Sequence, residues 1–373
     1  MGLTNYKLGE LIEQSDKRNT DNKYMVDRVK GISTGKKFIE TKANMDGVNL
    51  SSYKIVSPND FAYVADTSRR GDKIALAFNR STDYFLISSI YTVFRVSRND
   101  LLDSDYLFMY FNRPEFDRYS RFNSWGSARE TFDWNAMFDI DIDLPPIDIQ
   151  QKYVDIYNAM LANQQSYERG LEDLKLVCDA YIEELRRKMP SQKIEPYIER
   201  HDVRNGPNGT DNVMGISTTK EFREPTSKVD KSNLSDYKVV KPRQIGFVQT
   251  THNEKVFAYA FNNTDKDIVI SAVDEVFSTD EAVLLPEYLS MWFNRKEFDR
   301  YARFHSWGSA RETFTWDDLI NVEIPIADME KQKAIADIYT VYKTRKRIND
   351  HLKERIKSMC PILIKGSLEE AEV

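Results

Sequence analysis

Residues 111–134 read FNRPEFDRYSRFNSWGSARETFDW, and residues 293–316 read FNRKEFDRYARFHSWGSARETFTW. Twenty of these 24 positions are identical, at a fixed offset of 182 residues. Solenoid and propeller repeats recur every 20–50 residues or so, and this offset is far longer, so the chain carries two copies of one domain. Each copy continues into a proline step and then a helix. Leu144-Pro145-Pro146 leads to Gln151-Lys152 and Asp155-Ile156-Tyr157, while Ile324-Pro325 leads to Gln332-Lys333 and Asp337-Ile338-Tyr339. Elsewhere the repeat is weaker but ordered: Gly31-Ile32-Ser33-Thr34 matches Gly215-Ile216-Ser217-Thr218, and Phe78-Asn79 matches Phe261-Asn262. Agreement is poorest between residues 60–85 and 244–268. Two equivalent heads in one chain suit a target that itself has two sites.

A chain of 373 residues accommodates two domains and their connectors. A hydrophobic content of 41%, with 12% aromatic residues, is enough for packed cores rather than disorder. Met1-Gly2-Leu3-Thr4 opens polar, and no run of about 18 apolar residues follows, so a cytoplasmic protein without a membrane span is expected. Cys178 and Cys360 form no CxxC arrangement, and His201, His252, His305 and His351 lack metal-ligand spacing, so no metal site is expected. The net charge of −6 argues against nucleic acid as a partner, but charge location outweighs the sum. Segment 113–129 carries net +2 and segment 295–311 net +3, so the repeated loop is a basic patch on an acidic chain.

From Tyr24 to Val96 short apolar runs alternate with turn residues, as they do again around 245–248, 256–261 and 268–270. Residues 104–119 and 286–301 read as helical. Each head is therefore expected to be α+β, a curved, mainly antiparallel sheet followed by a small helical subdomain. Between the heads Ile149, Tyr153, Ile156, Met160, Asn163 and Tyr167 recur at helical seam spacing. Leu171, Leu174, Cys178, Tyr181 and Leu185 continue the seam up to Pro190. A second seam runs through Ala334, Ile338, Val341, Arg345, Ile348, Leu352, Arg355 or Ile356, and Met359, with Pro361 as its expected end. Two narrow apolar stripes in one chain bury best against each other, and an antiparallel coiled coil places one head at each end as a spacer of fixed length. The expected division is a first head over 1–146, a spacer helix over 147–190, a second head over 191–327, and a second spacer helix with tail over 328–373.

Catalytic signatures are missing: the sequence holds no GxGxxG, GxxxxGK[ST], GxSxG or HExxH pattern, and no catalytic residue is assigned. Candidate binding residues fall in two classes. Arg121, Ser124, Trp125, Ser127 and Arg129, with their twins Arg303, Ser306, Trp307, Ser309 and Arg311, read equally well as a phosphate clasp or as an ordinary Trp-Gly turn repeated with the fold. An element identical in both heads cannot tell two different half-sites apart. The divergent class is Arg69, Arg70 and Lys73 in the first head against Gln249, Thr251, His252, Asn253 and Lys255 in the second. Arginine, glutamine, histidine and asparagine are side chains that can read base edges, although a polar hairpin tip often only faces water.

Two divergent heads, each followed by a proline step, a glutamine and a long helix, resemble the specificity subunit of type I restriction-modification systems. The resemblance covers essentially the whole chain, most specifically Gly126–Arg129 through Leu144-Pro145-Pro146 to Gln151, and Gly308–Arg311 through Ile324-Pro325 to Gln332. The second lead-in lacks the double proline. The resemblance implies two target-recognition domains that read the halves of a bipartite double-stranded DNA site, with an antiparallel coiled coil as ruler. It implies no cofactor on this chain, two methyltransferase subunits that bind S-adenosylmethionine and methylate adenine, and restriction subunits joined through them. The alternatives are the recognition subunit of a type IIB/IIG-like enzyme and a two-headed scaffold that binds proteins.

Overall fold

A computed structural model of the chain describes residues 2–67, 73–127, 129–207, 209–226, 229–230, 233–250, 256–308 and 311–372. The first head contains β1 (Thr4–Lys7), β2 (Ile12–Ser15), β3 (Lys30–Ile32), β4 (Phe38–Glu40), β5 (Lys54–Val56), β6 (Phe61–Tyr63), β7 (Leu76–Phe78), β8 (Phe85–Ile87) and β9 (Thr92–Val96). There follow α1 (Ser104–Phe111), α2 (Pro114–Phe122), α3 (Trp134–Phe138), β10 (Asp141–Leu144) and the long α4 (Ile147–Lys188). The second head repeats the series with β11 (Ser191–Lys193), β12 (Ile198–His201), β13 (Gly215–Ile216), β14 (Phe222–Arg223), β15 (Lys238–Val240), β16 (Ile245–Phe247), β17 (Tyr259–Phe261), β18 (Ile268–Ile270) and β19 (Glu275–Thr279). It closes with α5 (Pro286–Phe293), α6 (Lys296–Phe304), α7 (Trp316–Ile320), β20 (Glu323–Pro325) and the long α8 (Met329–Glu372).

Both heads have one topology. A four-stranded sheet, ordered β2-β9-β6-β7 in the first head and β12-β19-β16-β17 in the second, is flanked by two-stranded pairs, and every strand pairing is antiparallel. The α+β expectation holds. Much of the repeated 24-residue stretch is there to pack. Phe111, Phe116 and Phe132 are buried in the first core, as are Phe293, Phe298 and Phe314 in the second. The Phe111–Phe116 rings lie 4.6 Å apart and the Phe293–Phe298 rings 4.5 Å. Burying each such ring contributes about 1.5–3 kcal/mol.

The single helices expected over 104–119 and 286–301 are each two helices. Arg113 and Arg295 are extended, with ψ of 143° and 146°. Pro114 enforces this for its neighbour in the first head. In the second head Lys296 stands in its place and the break persists, with the Asn294 amide donating to the Ser290 carbonyl at 3.0 Å.

The chain forms two compact units, Met1–Ser166 with Asn349–Val373 and Tyr167–Ile348. In each, a segment of α4 runs antiparallel to a segment of α8. In the first unit Lys152 Nζ reaches Glu370 at 2.8 Å and the Gln164 amide donates to Asn349 Oδ1 at 2.9 Å. In the second, the Arg345 guanidinium lies 5.8 Å from the Tyr167 ring.

The buried line on these helices meets the expected seam at Cys178, Leu185 and Ile356 and elsewhere lies one residue beyond it. It follows Gln150, Val154, Tyr157, Gln164, Cys178, Ile182 and Leu185 on α4. On α8 it follows Ile335, Tyr339, Asn349, Ile356, Cys360, Leu363 and Ile364, whereas Ile156, Tyr181, Val341 and Ile348 are exposed. Hydropathy assigns glutamine and asparagine to the outside, and here their amides are satisfied inside. The repeat is also one position off at the lead-in, because Gln150, not Gln151, is the twin of Gln332. The Gln150 amide donates to the carbonyls of Leu101 and Pro145 at 2.7 and 2.8 Å and its Oε1 accepts from Asp103 N at 3.0 Å. Gln332 does the same with Val283, Ala327 and Leu285 at 2.7, 2.8 and 3.0 Å.

Pro361 does not end α8, which continues to Glu372. An interior proline costs about 3 kcal/mol. Ile356, Cys360, Leu363 and Ile364 are buried in the first unit's core, and at about 1.5–3 kcal/mol for each aliphatic chain their burial exceeds that cost.

Candidate nucleic-acid interface

In each head the two classes of candidate loop are stitched together. Beyond β6 the first hairpin continues as Val64 N donates to the Ala75 carbonyl at 2.9 Å. The shared loop then joins its edge: Phe132 N donates to the Ala65 carbonyl at 2.8 Å and Thr67 N to the Glu130 carbonyl at 3.0 Å. The second head repeats this, with Val248 N to the Ala258 carbonyl at 2.9 Å and Phe314 N to the Gln249 carbonyl at 2.7 Å. Thus the most variable and the least variable segments, far apart in sequence, form one lip. Arg69, Arg70, Thr251, His252, Asn253, Lys255 and Ser309 lie outside the described residues.

The shared loop is held shut by its own atoms. Trp125 N donates to the Thr131 carbonyl at 3.1 Å and Thr131 N returns the bond at 3.0 Å; Trp307 and Thr313 repeat the pair at 3.2 and 2.9 Å. Gly126 has φ +141° and Gly308 +136°, conformations that disfavour side chains. A Cβ on either glycine would lie 2.1 or 2.2 Å from the carbonyl oxygen of Arg129 or Arg311. Arg121 pairs with Glu130, and Arg303 with Glu312, across the loop. The Ser124 and Ser306 hydroxyls each donate at 2.6 Å to a carbonyl one helical turn back, Ser120 and Ala302. The ordinary-turn reading therefore accounts for Arg121, Arg303, Ser124 and Ser306.

What remains faces outward. Ser127, Arg129 and Arg311 are exposed, and neither arginine makes an ion pair among the described residues. Trp125 is 72% exposed and Trp307 70%. Two further aromatics were missed by sequence reasoning, Phe122 at 78% and Phe304 at 77% exposed. The signal was available: six residues after Phe116, Phe122 falls about 240° round the helix from the buried face, as Phe304 does after Phe298. Each lip so combines an unpaired arginine with two large exposed aromatics, the composition that grips backbone phosphates and stacks on bases. Of the described divergent residues, Lys73 is exposed, while the Gln249 amide points inward to Glu275 Oε1 at 2.6 Å.

Beneath each lip lies a buried ion pair that sequence reasoning also missed. Lys36, at φ 58° in the β3–β4 turn, donates from Nζ to Asp117 Oδ1 at 2.7 Å and to the Phe111 carbonyl at 2.5 Å. The same carboxylate oxygen accepts from Ile74 N at 3.3 Å, where the divergent segment re-enters the sheet. Lys220, Asp299, the Phe293 carbonyl and Phe257 N repeat the arrangement at 2.7, 2.7 and 3.1 Å. Burial pulls both ammonium pKa values down, opposed by the partner aspartate. The pair fixes the root of the variable segment to α2 or α6 regardless of what its tip contains.

No group of His, Cys, Asp and Glu that could hold a metal occurs among the described residues. Cys178 and Cys360 are free and buried, and burial raises both thiols, Cys360 to about 11, which disfavours the reactive thiolate. No described helix is long and apolar enough to cross a membrane.

No family model and no curated protein matches the sequence. Among solved structures, the whole chain is similar to the S subunit of a type I restriction-modification system from M. genitalium, of which it covers 96%, with a TM-score of 0.60 at 9% identity. A structure described as showing complex assembly and conformational transition of the type I R-M system matches 100% of this chain and 97% of its own, at TM-score 0.46 and 15% identity. The HsdS subunit of Thermoanaerobacter tengcongensis matches 98% and 96%, at TM-score 0.36 and 16% identity. The chain has the fold of a type I specificity subunit.

Proposed function

We propose that this chain is the non-catalytic DNA-recognition subunit of a type I restriction-modification complex, working in the cytoplasm on a bipartite duplex site. The observation that carries the reading is the duplicated lip, in which the flank of a hairpin that differs between the heads is bonded to a loop identical in both, bearing an arginine with no ion pair among the described residues and exposed aromatics. The invariant part contributes equally at both half-sites and holds backbone, while the variable tip reads base edges, each good bidentate contact being worth about 1–3 kcal/mol of discrimination. The acidic net charge is consistent with affinity shared among subunits. Two methyltransferase subunits supply S-adenosylmethionine and adenine methylation, and restriction subunits join through them. The S-subunit fold supports this assignment.

The test is an exchange of tips. Residues 64–75 are replaced by 248–258, and the variant, reconstituted with the methyltransferase encoded beside it, is put through a randomised-target binding selection. The first half-site should take on the consensus of the second, while the gap stays unchanged. Retention of both parental consensus sequences would remove the variable tip as reader. Adenine methylation by the purified chain alone with S-adenosylmethionine would contradict the non-catalytic assignment.

A further inference from the structure

The two heads differ in what fills the space between the β6–β7 hairpin, or its twin, and the long helix packed on it. In the first head Arg80 ion-pairs with Asp105 at 2.5 Å and lays its guanidinium over Phe78, Phe108 and Tyr157, at 5.7, 5.2 and 5.1 Å from the ring centres. The register of the second head follows from Asn79 and Asn262, whose amides bridge the same turn to the carbonyls of Asp83 and Lys266 at 2.8 and 2.9 Å. Asn263 then replaces Arg80, and Ser290 replaces Phe108, while Tyr339 stands where Tyr157 does. The guanidinium and the ring that plug the first head are both missing. Glu287, the counterpart of Asp105, turns instead to Arg243, whose guanidinium lies 5.4 Å from the Phe261 ring.

The result in the second head is a cavity of about 550 Å³, within the roughly 300–1,000 Å³ of small-molecule sites. Its wall includes Phe222, Phe261 and Ile268 on the sheet side and Thr344 and Arg347 on α8. One lining residue, Ser290, keeps a buried hydroxyl with no hydrogen-bond partner among the described residues. Buried polar atoms are rarely left so. The charges of the wall sum to +1, with Lys220 held by Asp299 and Lys343 by Glu221, each at 2.7 Å. Arg347 is exposed and makes no ion pair among the described residues.

We propose that this cavity binds a small organic anion, its apolar body against Phe222, Phe261 and Ile268 and its phosphate or carboxylate at Arg347. The proposal does not depend on the DNA-binding reading. In the first head Arg80 and Phe108 stand at the corresponding positions, and Gln165 stands where Arg347 does.

The experiment titrates the full chain with phenyl phosphate, benzoate and inorganic phosphate, by calorimetry and ligand-observed NMR. At least one of the two organic anions should bind saturably, one per chain, with inorganic phosphate at least tenfold weaker. Arg347→Ala should weaken the organic anion at least tenfold. The double substitution Asn263→Arg/Ser290→Phe, which restores the plug, should abolish binding. Should circular dichroism show the plugged variant unfolded, Arg347→Ala decides alone. Failure of both organic anions to bind overturns the proposal, as does binding that survives Arg347→Ala. Inorganic phosphate bound as tightly as the organic anions would mean an adventitious ion only, and would overturn it equally.

Discussion

A lysine ammonium inside each head is tolerable because Lys36 and Lys220 each meet a carboxylate and a carbonyl at hydrogen-bond distance. Removing one member of such a pair leaves a buried charge uncompensated, at a cost of about 3–5 kcal/mol. Lys36→Met should therefore destabilise the chain by about that much in chemical denaturation, and Lys36→Met/Asp117→Leu should recover most of it. A double variant no more stable than the single one would show that the aspartate's bond to Ile74 N matters more than charge balance. Asp274 is the opposite case. Burial pushes its carboxyl up to about 7, reinforced by Glu275 and opposed by Lys238. Because this folded value exceeds the ordinary 3.8, the folded chain binds the proton more tightly. Its contribution is full below about pH 4 and is lost as pH rises through about 7. Asp274→Asn should then raise Tm at pH 8 while leaving it nearly unchanged at pH 4, measured by scanning calorimetry at both. Equal shifts at the two pH values would rule out titration as the cause.

At the scale of elements, the long helices are registered by amides as much as by apolar stripes. Gln150 and Gln332 tie the first turns of α4 and α8 to the heads that precede them. Gln164 and Asn349 meet in the buried face between the helices at 2.9 Å. Buried polar residues at seam positions specify register at some cost in stability. Asn349→Leu alone should destabilise by about 1–3 kcal/mol, because the glutamine amide loses a partner without regaining water. Gln164→Leu/Asn349→Leu should come back to within about 1 kcal/mol of the parent, since replacing both partners is nearly neutral. Urea denaturation of the three variants measures the coupling, and strictly additive losses would mean that the two amides act independently.

For the whole molecule, the boundaries between compact units fall inside helices, at Ser166/Tyr167 and Ile348/Asn349, so each unit's core includes part of both α4 and α8. If these helices measure the gap in a bipartite site, lengthening both together should lengthen the gap. Seven residues inserted at each boundary add about 10 Å of helix and nearly preserve the buried face. At about 3.4 Å per base pair the tolerated gap should grow by about three base pairs, with both half-site sequences unchanged. Methylation mapping in a host carrying the variant with its methyltransferase reads this directly, and an unchanged gap would remove the helices as ruler.

The duplication, the α+β heads, the two long helices and the basic character of the repeated loop were legible in the amino-acid order, because each is local or is copied twice. The inward face of each helix was legible only in part: Cys178, Leu185 and Ile356 are buried as their spacing predicts, but the amides that share that face were not foreseen. Hydropathy places Gln150, Gln164 and Asn349 outside, and their interior positions depend on partners up to 185 residues away. Nor could local propensity carry α8 through Pro361, since the burial that offsets the break comes from the first head. The shared loop's residue types were equally those of a turn and of a clasp. Only tertiary structure divided them, spending Arg121 and Ser124 on the loop itself and leaving Phe122, Trp125 and Arg129 in solvent. The lip itself is a tertiary object, because the backbone bonds joining residues 65–67 to 130–132 link segments that have no relation in sequence.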